Sequence, residues 1–263
     1  MARNGCGTPR GLAARVRGAL ARVEKAHYPF RNYRHAHAES AVLVGCNVVS
    51  LFPRTVDAAV RLLRTEAGAG AAFDCCGAPF ALDGDPAAAQ RVRAGVADRL
   101  RACGVREAVA LCPTCAATLA DVSGLRVVSI YAKLRELGLG VRLAPDGAVF
   151  LPCPDRARGA WLADVLAFFD GEPAVLRRAP CCGLGTGGGP RDPDRARAMA
   201  QACLGQARAA AAGPLYVYCA SCAGSFAGNG GADVRFVLSE VLGVHEEPQV
   251  GATLINRARA VLR

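Results

Sequence analysis

Phe73-Asp74-Cys75-Cys76-Gly77 returns as Ala179-Pro180-Cys181-Cys182-Gly183, 106 residues further on. Two adjacent cysteines followed by glycine form an uncommon tripeptide, and a fixed long period marks a repeated architecture. Outward from these two turns the period holds. Cys46 to Cys153 spans 107 positions, as do Cys112 to Cys219 and Cys115 to Cys222. Asp85-Pro86 also returns after 107 positions, as Asp192-Pro193. Each pair reads as an N-cap aspartate with proline at the first helical position. Five cysteines and a helix start do not recur together by chance, so the chain is a tandem duplication.

Between these markers, short apolar runs alternate with helical patterns. In the first copy the strands are read at 41–45, 71–73, 107–111 and 125–130, with helices at 53–66, from Asp85 to about Cys103, after Cys115, and up to Leu137. In the second copy they are read at 148–151, 173–179, 215–218 and 234–238, with helices at 156–169, from Asp192, and near Gly243. No hairpin signal joins the strands, and runs this short and apolar suit strands buried on both faces. The fold class is therefore α/β: two similar βα half-domains with parallel sheets, the cysteines at the C-terminal ends of strands. That edge is where open parallel sheets bind ligands. Residues 1–40 are read as an N-terminal helical segment, 41–145 and 146–245 as the two repeats, and 246–263 as a C-terminal helix. Within the first segment, Val16, Leu20 and Val23 give a helix over 12–25, followed by a turn-like stretch over 27–37.

The 263 residues are 52% hydrophobic, enough for a large core and far from a disordered composition. Net charge is +10, carried by arginine except at Lys25 and Lys133. The arginines are spread along the chain instead of gathered in a nucleic-acid arm, so solvated helix faces or attraction of an anionic substrate account for them better than nucleic acid. Residues 1–26 lack the apolar core of a secretory signal, and no apolar run is long enough to span a bilayer. A soluble cytoplasmic protein is expected. In a reducing compartment, thirteen cysteines point to metal binding or redox chemistry more than to disulfides.

Each repeat supplies one cysteine, then Cys-Cys-Gly, then Cys-x-x-Cys. Five thiols exceed the four ligands of tetrahedral zinc and the four of an ordinary cubane iron–sulfur cluster. Either one cysteine is not a ligand, or the cluster is of another kind. At this point the pattern resembles the cysteine-rich CCG domain of the heterodisulfide reductases and of the related iron–sulfur proteins of glycolate, lactate and anaerobic glycerol-3-phosphate oxidation. The run Cys181-Cys-Gly-Leu-Gly-Thr-Gly-Gly-Gly189 is similar to the glycine-rich stretch that follows the second motif in that family. The resemblance covers about residues 41–245. It implies a non-cubane [4Fe-4S] cluster on Cys46, Cys75, Cys76, Cys112 and Cys115, and a second on Cys153, Cys181, Cys182, Cys219 and Cys222. It implies an oxidoreductase subunit acting on a disulfide, or one that only relays electrons. Zinc-stabilised binding is the competing reading. No ferredoxin-type Cys-x2-Cys-x2-Cys-x3-Cys-Pro run is present, so electrons are expected from a ferredoxin-like or flavoprotein partner.

Gly77 and Gly183 are expected to let the main chain approach a cluster and to aim N–H groups at its sulfurs. Cys103 and Cys203 lie on apolar helical stripes and read as core, and Cys6 as a free thiol in a tail. His35 and His37 read as a loop pair, Asp74 as a capping or surface carboxylate, and Tyr216 and Tyr218 as strand packing.

Overall fold

The computed structural model describes residues 28–184 and 192–262. The expected helix over 12–25, Cys6 and the glycines at 187–189 lie outside these residues.

The first repeat opens with strand β1 (Asn32–His35), where the sequence reads as a turn. It is followed by β2 (Ser40–Gly45), helix α1 (Cys46–Leu51), α2 (Pro53–Ala67), β3 (Gly70–Asp74), α3 (Ala78–Leu82), α4 (Pro86–Ala102), β4 (Glu107–Ala110), α5 (Pro113–Leu119), β5 (Arg126–Ser129) and α6 (Ile130–Glu136). The second has β6 (Ala148–Phe150), a 3-10 turn at Cys153–Asp155, α7 (Ala160–Leu166), β7 (Ala174–Leu176), α8 (Pro193–Ala210), β8 (Leu215–Val217), α9 (Ala220–Gly228), β9 (Val234–Phe236) and α10 (Val237–Val241). Helix α11 (Thr253–Val261) closes the described chain.

Two sheets form, in the orders β1-β3-β2-β4-β5 and β7-β6-β8-β9. Without β1 the two orders are the same, strand for strand, and every pairing in that common part is parallel. β1 is the exception, an antiparallel edge strand on β3 with Asn32 opposite Phe73 and His35 opposite Ala71. Its signal is hidden because only Asn32 is buried, while the strand's remaining side chains are partly or fully exposed. The alternating pattern that marks a half-buried strand is missing.

The long helices begin where expected. The Asp85 carboxylate accepts the Ala88 N–H at 2.9 Å, and that of Asp192 accepts the Arg195 N–H at 3.0 Å. Two second-repeat elements are shorter than read. The helix expected over 156–169 starts only at Ala160, because Gly159 is left-handed (φ 62°) and Asp155 binds the N–H groups of Trp161 and Leu162 at 3.1 and 2.7 Å. Strand β7 stops at Leu176, because the Arg177 N–H turns back to Val175 O at 2.9 Å and leaves the ladder.

The halves join face to face. Helix α1 packs on α9, and the 3-10 turn at Cys153 packs on α5. Asn47 Nδ2 donates to Ser221 Oγ at 2.7 Å across this boundary. The C-terminal stretch then reaches back to the first half. Glu246 accepts from the N–H groups of Arg54 and Thr55 at 3.0 and 2.7 Å, and Asn256 donates to Ser50 O at 2.9 Å.

Candidate metal centre: ten thiols in one chain

Each cysteine-bearing segment leaves the C-terminal end of a strand. Cys46 begins α1 directly after β2, and Cys75 directly follows β3. Cys112 and Cys219 are the N-caps of α5 and α9, with Cys115 and Cys222 in their first turns. The fold thus brings three sequence-distant segments of each half to one sheet edge. Cys46 and Cys153 are partly exposed, while the other eight motif cysteines are buried. No disulfide joins any of the twelve cysteines among the described residues.

Neighbouring thiols tie the ten into a series, with Cys75 and Cys76 joined only by being consecutive in the chain. Cys46 Sγ lies 3.9 Å from Cys75 Sγ. Cys76 meets Cys115, and Cys115 meets Cys112. Cys112 meets Cys219, across the boundary between the halves. From there Cys219 leads to Cys222, Cys222 to Cys182, Cys182 to Cys181 and Cys181 to Cys153. The series reads the same from either end, with the Cys112–Cys219 contact at its centre. Among the described residues, no three His, Cys, Asp or Glu side chains are gathered as a cage for a single metal ion. The donor set is nonetheless uniform: thiols alone, soft ligands that suit iron–sulfur clusters or zinc.

The thiols differ in acidity. Cys112 is held well below the usual thiol range, chiefly by bonds from the Cys115 and Cys219 thiols, helped by the backbone N–H groups of Cys115 and Thr114. Its neighbours move the other way. Cys115 is raised by its bonds to Cys112 and Cys76 and by burial. Cys182 is raised to about 12, first by its bond to Cys181, although the Leu184 backbone group after Gly183 pulls it down.

Gly77 and Gly183 have φ of 86° and 90°. A Cβ at Gly77 would lie 2.9 Å from Ala89 O and 3.0 Å from Val92 Cβ, and one at Gly183 would collide with the Ala196 backbone. The close approach that demands glycine is thus to α4 and to α8, which lie behind the turns.

Asp74 is neither capping a helix nor on the surface. It is 1% exposed and accepts from Arg31 Nε (3.1 Å), Tyr33 Oη (2.9 Å), Arg99 Nη2 (2.8 Å) and, through Oδ1, the Cys75 N–H (2.8 Å). It pins the first CCG turn to β1 and α4. In the second half Pro180 offers only its carbonyl, which accepts from Arg156 Nη2 at 3.0 Å and from Cys203 Sγ at 3.2 Å. Cys203 is therefore more than core filler. Tyr218 is buried and donates to Asp155 at 2.8 Å, and Tyr216 packs edge-on against Phe169. Cys103 ends α4 against the core, and His35 and His37 are exposed. Sequence reasoning passed over Asp155, Arg156 and Tyr131. Asp155 had a readable signal, lying two residues after a motif cysteine and just ahead of a helix.

No helix of the described residues is long and apolar enough to cross a membrane. No curated protein matches the chain. The family described as the cysteine-rich domain, CCG, matches it twice, over residues 40–120 and 148–227, more than half its length. Each match runs from the first parallel strand of a repeat, β2 or β6, through its Cys-x-x-Cys helix, and the chain belongs to the CCG cysteine-rich domain family.

Proposed function

We propose that the chain is an iron–sulfur redox subunit that takes electrons from a ferredoxin-like or flavoprotein partner in the cytoplasm and delivers them to a disulfide. The observation that carries this is the series of ten thiols, five from each repeat, meeting at Cys112 and Cys219. Cys46, Cys75, Cys76, Cys112 and Cys115 would hold one non-cubane [4Fe-4S] cluster. Cys153, Cys181, Cys182, Cys219 and Cys222 would hold the other.

When bound, two such clusters supply a pair of one-electron carriers, matching the two electrons that open a disulfide. The chain's own residues do the rest. Asp74 fixes the Cys75 N–H, and Asp155, two residues after Cys153, holds the start of α7 and the Tyr218 hydroxyl. Gly77 and Gly183 seat the CCG turns closely against α4 and α8. The partly exposed Cys46 and Cys153 mark where each site meets solvent. The excess of arginine attracts an anionic disulfide.

Anaerobic purification with iron, sulfide and zinc quantified tests this reading. The expected result is about eight irons per chain, two four-iron clusters, with matching sulfide and little zinc. Cys76→Ser and Cys182→Ser should each alter the spectrum of one cluster and spare the other. Zinc without sulfide would sink the proposal in favour of a zinc-stabilised protein.

A further inference from the structure

The guanidinium of Arg156 is fixed beside the solvent-facing cysteine of the second site, and no carboxylate neutralises it. Arg156 directly follows the 3-10 turn Cys153–Asp155, and its N–H returns to Cys153 O at 3.4 Å. Its side chain folds back over the Phe150 ring, 5.9 Å from the centroid. Nε donates to Leu151 O at 3.3 Å, and Nη2 donates to Pro180 O at 3.0 Å. Leu151 lies two residues before Cys153, and Pro180 directly before Cys181. The cation therefore bridges the lone-cysteine segment and the CCG turn, at the sheet edge where the five thiols gather.

Both tethers are neutral carbonyls. Among the described residues no carboxylate pairs with Arg156. The adjoining Asp155 is buried, its oxygens taken up by the Trp161 and Leu162 N–H groups and the Tyr218 hydroxyl. A guanidinium carries its N–H donors in a fixed planar fork. The two tethers leave Nη1 and one Nη2 hydrogen without a protein partner, on an exposed residue. A fixed orientation, an unneutralised charge and spare donors suit a carboxylate or another oxyanion. Cys153, on the same turn, is partly exposed. The first repeat has no such group, because the residue corresponding to Arg156, 107 positions earlier, is Val49, buried in the core.

We propose that Arg156 is a specificity-determining residue of the second site: it binds the anionic group of a carboxylate- or sulfonate-bearing disulfide and so directs that disulfide to the Cys153 side. The inference deepens the function proposed above and rests on its disulfide arm. It assigns the two sites different tasks, with the anion read at the second site by a group that the first site lacks.

The test begins with metal-free protein and two small disulfides, dithiodiglycolate, a dianion, and hydroxyethyl disulfide, which is neutral. The Cys153 thiolate attacks one sulfur of the probe. The probe's S–S bond breaks, a mixed disulfide forms, and the other half leaves as a thiolate with the electron pair. Loss of the free thiol at Cys153, and at Cys46 as internal control, is followed by alkylation and peptide mass spectrometry. The reading is the ratio of the two rates, dianion over neutral probe, so any general change in Cys153 reactivity cancels. Arg156→Gln should lower this ratio about fivefold at Cys153 and leave it unchanged at Cys46. Arg156→Lys, which keeps the charge, should keep most of the wild-type ratio, and added salt should shrink the wild-type preference. An unchanged ratio in Arg156→Gln overturns the proposal, because Arg156 would then be a structural tie alone. A lysine variant as low as the glutamine one also overturns it. In the iron-loaded protein, Arg156→Gln should raise KM for dithiodiglycolate by a similar factor with kcat nearly constant, and spare hydroxyethyl disulfide. If loaded wild-type protein reduces neither probe, the disulfide reading fails and takes this substrate assignment with it, whatever the ratio. If it reduces both and the ratio is unmoved, only the role of Arg156 fails.

Discussion

At the scale of single residues, the two CCG turns look alike and are held differently. Both glycines need left-handed backbone, which costs alanine about 1–2 kcal/mol. A Cβ at Gly77 would press on the Ala89 carbonyl at 2.9 Å and on Val92 Cβ, whereas one at Gly183 would drive deeper into three Ala196 backbone atoms. Gly183→Ala should therefore lose about 3 kcal/mol or more and Gly77→Ala less, a ranking that urea denaturation of the metal-free protein reads directly. Asp74 has no equivalent in the second half. Asp74→Ala leaves Arg31 and Arg99 without their shared carboxylate and the Cys75 N–H without its acceptor. Both arginines are about a third exposed and can turn to water. The loss should thus be about 1.5–3 kcal/mol, below that of a fully buried pair. Because Asp74 anchors only the first turn, loss of the proposed clusters in this variant should be confined to the first site, visible as half the wild-type iron.

At the scale of elements, the edge beyond β4 carries its own electrostatic clamp. Glu107 at the start of β4 meets Lys133 of α6 at 3.0 Å, Arg126 of β5 at 2.6 Å and Ser40 of β2 at 3.0 Å. Burial disfavours the Glu107 carboxylate, but Lys133, Ser40 and Arg126 outweigh it and hold its pKa below the usual carboxylate value. A carboxylate so lowered adds stability that is complete above its unfolded pKa of about 4.3 and vanishes as pH falls through the folded value. Glu107→Gln should therefore be less stable than wild type at neutral pH, and the gap should close below about pH 4, followed by circular dichroism. The elements were the most legible level of the sequence. Apolar runs, the Asp-Pro helix starts and the 107-residue period placed every strand among the described residues except β1. What stayed hidden depended on contacts: β1 is held as a strand by β3, and Asp155 sets the start of α7 from outside the helix.

At the scale of the whole molecule, the halves are not separate beads. The lone cysteine of each half sits against the Cys-x-x-Cys helix of the other, and Glu246 and Asn256 tie the chain's end to α1 and α2. Trp161, the single tryptophan, lies on Tyr131 across this boundary. Its fluorescence and the far-ultraviolet circular dichroism should follow one coincident urea transition. Two separated transitions would show that the halves unfold independently. This boundary is also where the sequence was least legible. The spacing sorted ten cysteines into two sets of five, but which sets touch is a matter of packing between surfaces far apart in the chain. Cys112 against Cys219, and Tyr131 against Trp161, carry no local signal.

The crossed packing has a consequence for descent. When one copy's first element meets the other copy's third, and the reverse also holds, the interface is isologous, the kind that joins identical subunits about a two-fold axis. The chain is in effect a homodimer whose protomers have been spliced end to end. In a true homodimer every substitution appears twice. Only after splicing can one copy carry Tyr131 where the other has Leu238, or Asp74 where the other has Pro180. The splice gave the protein leave to make its two sites unequal.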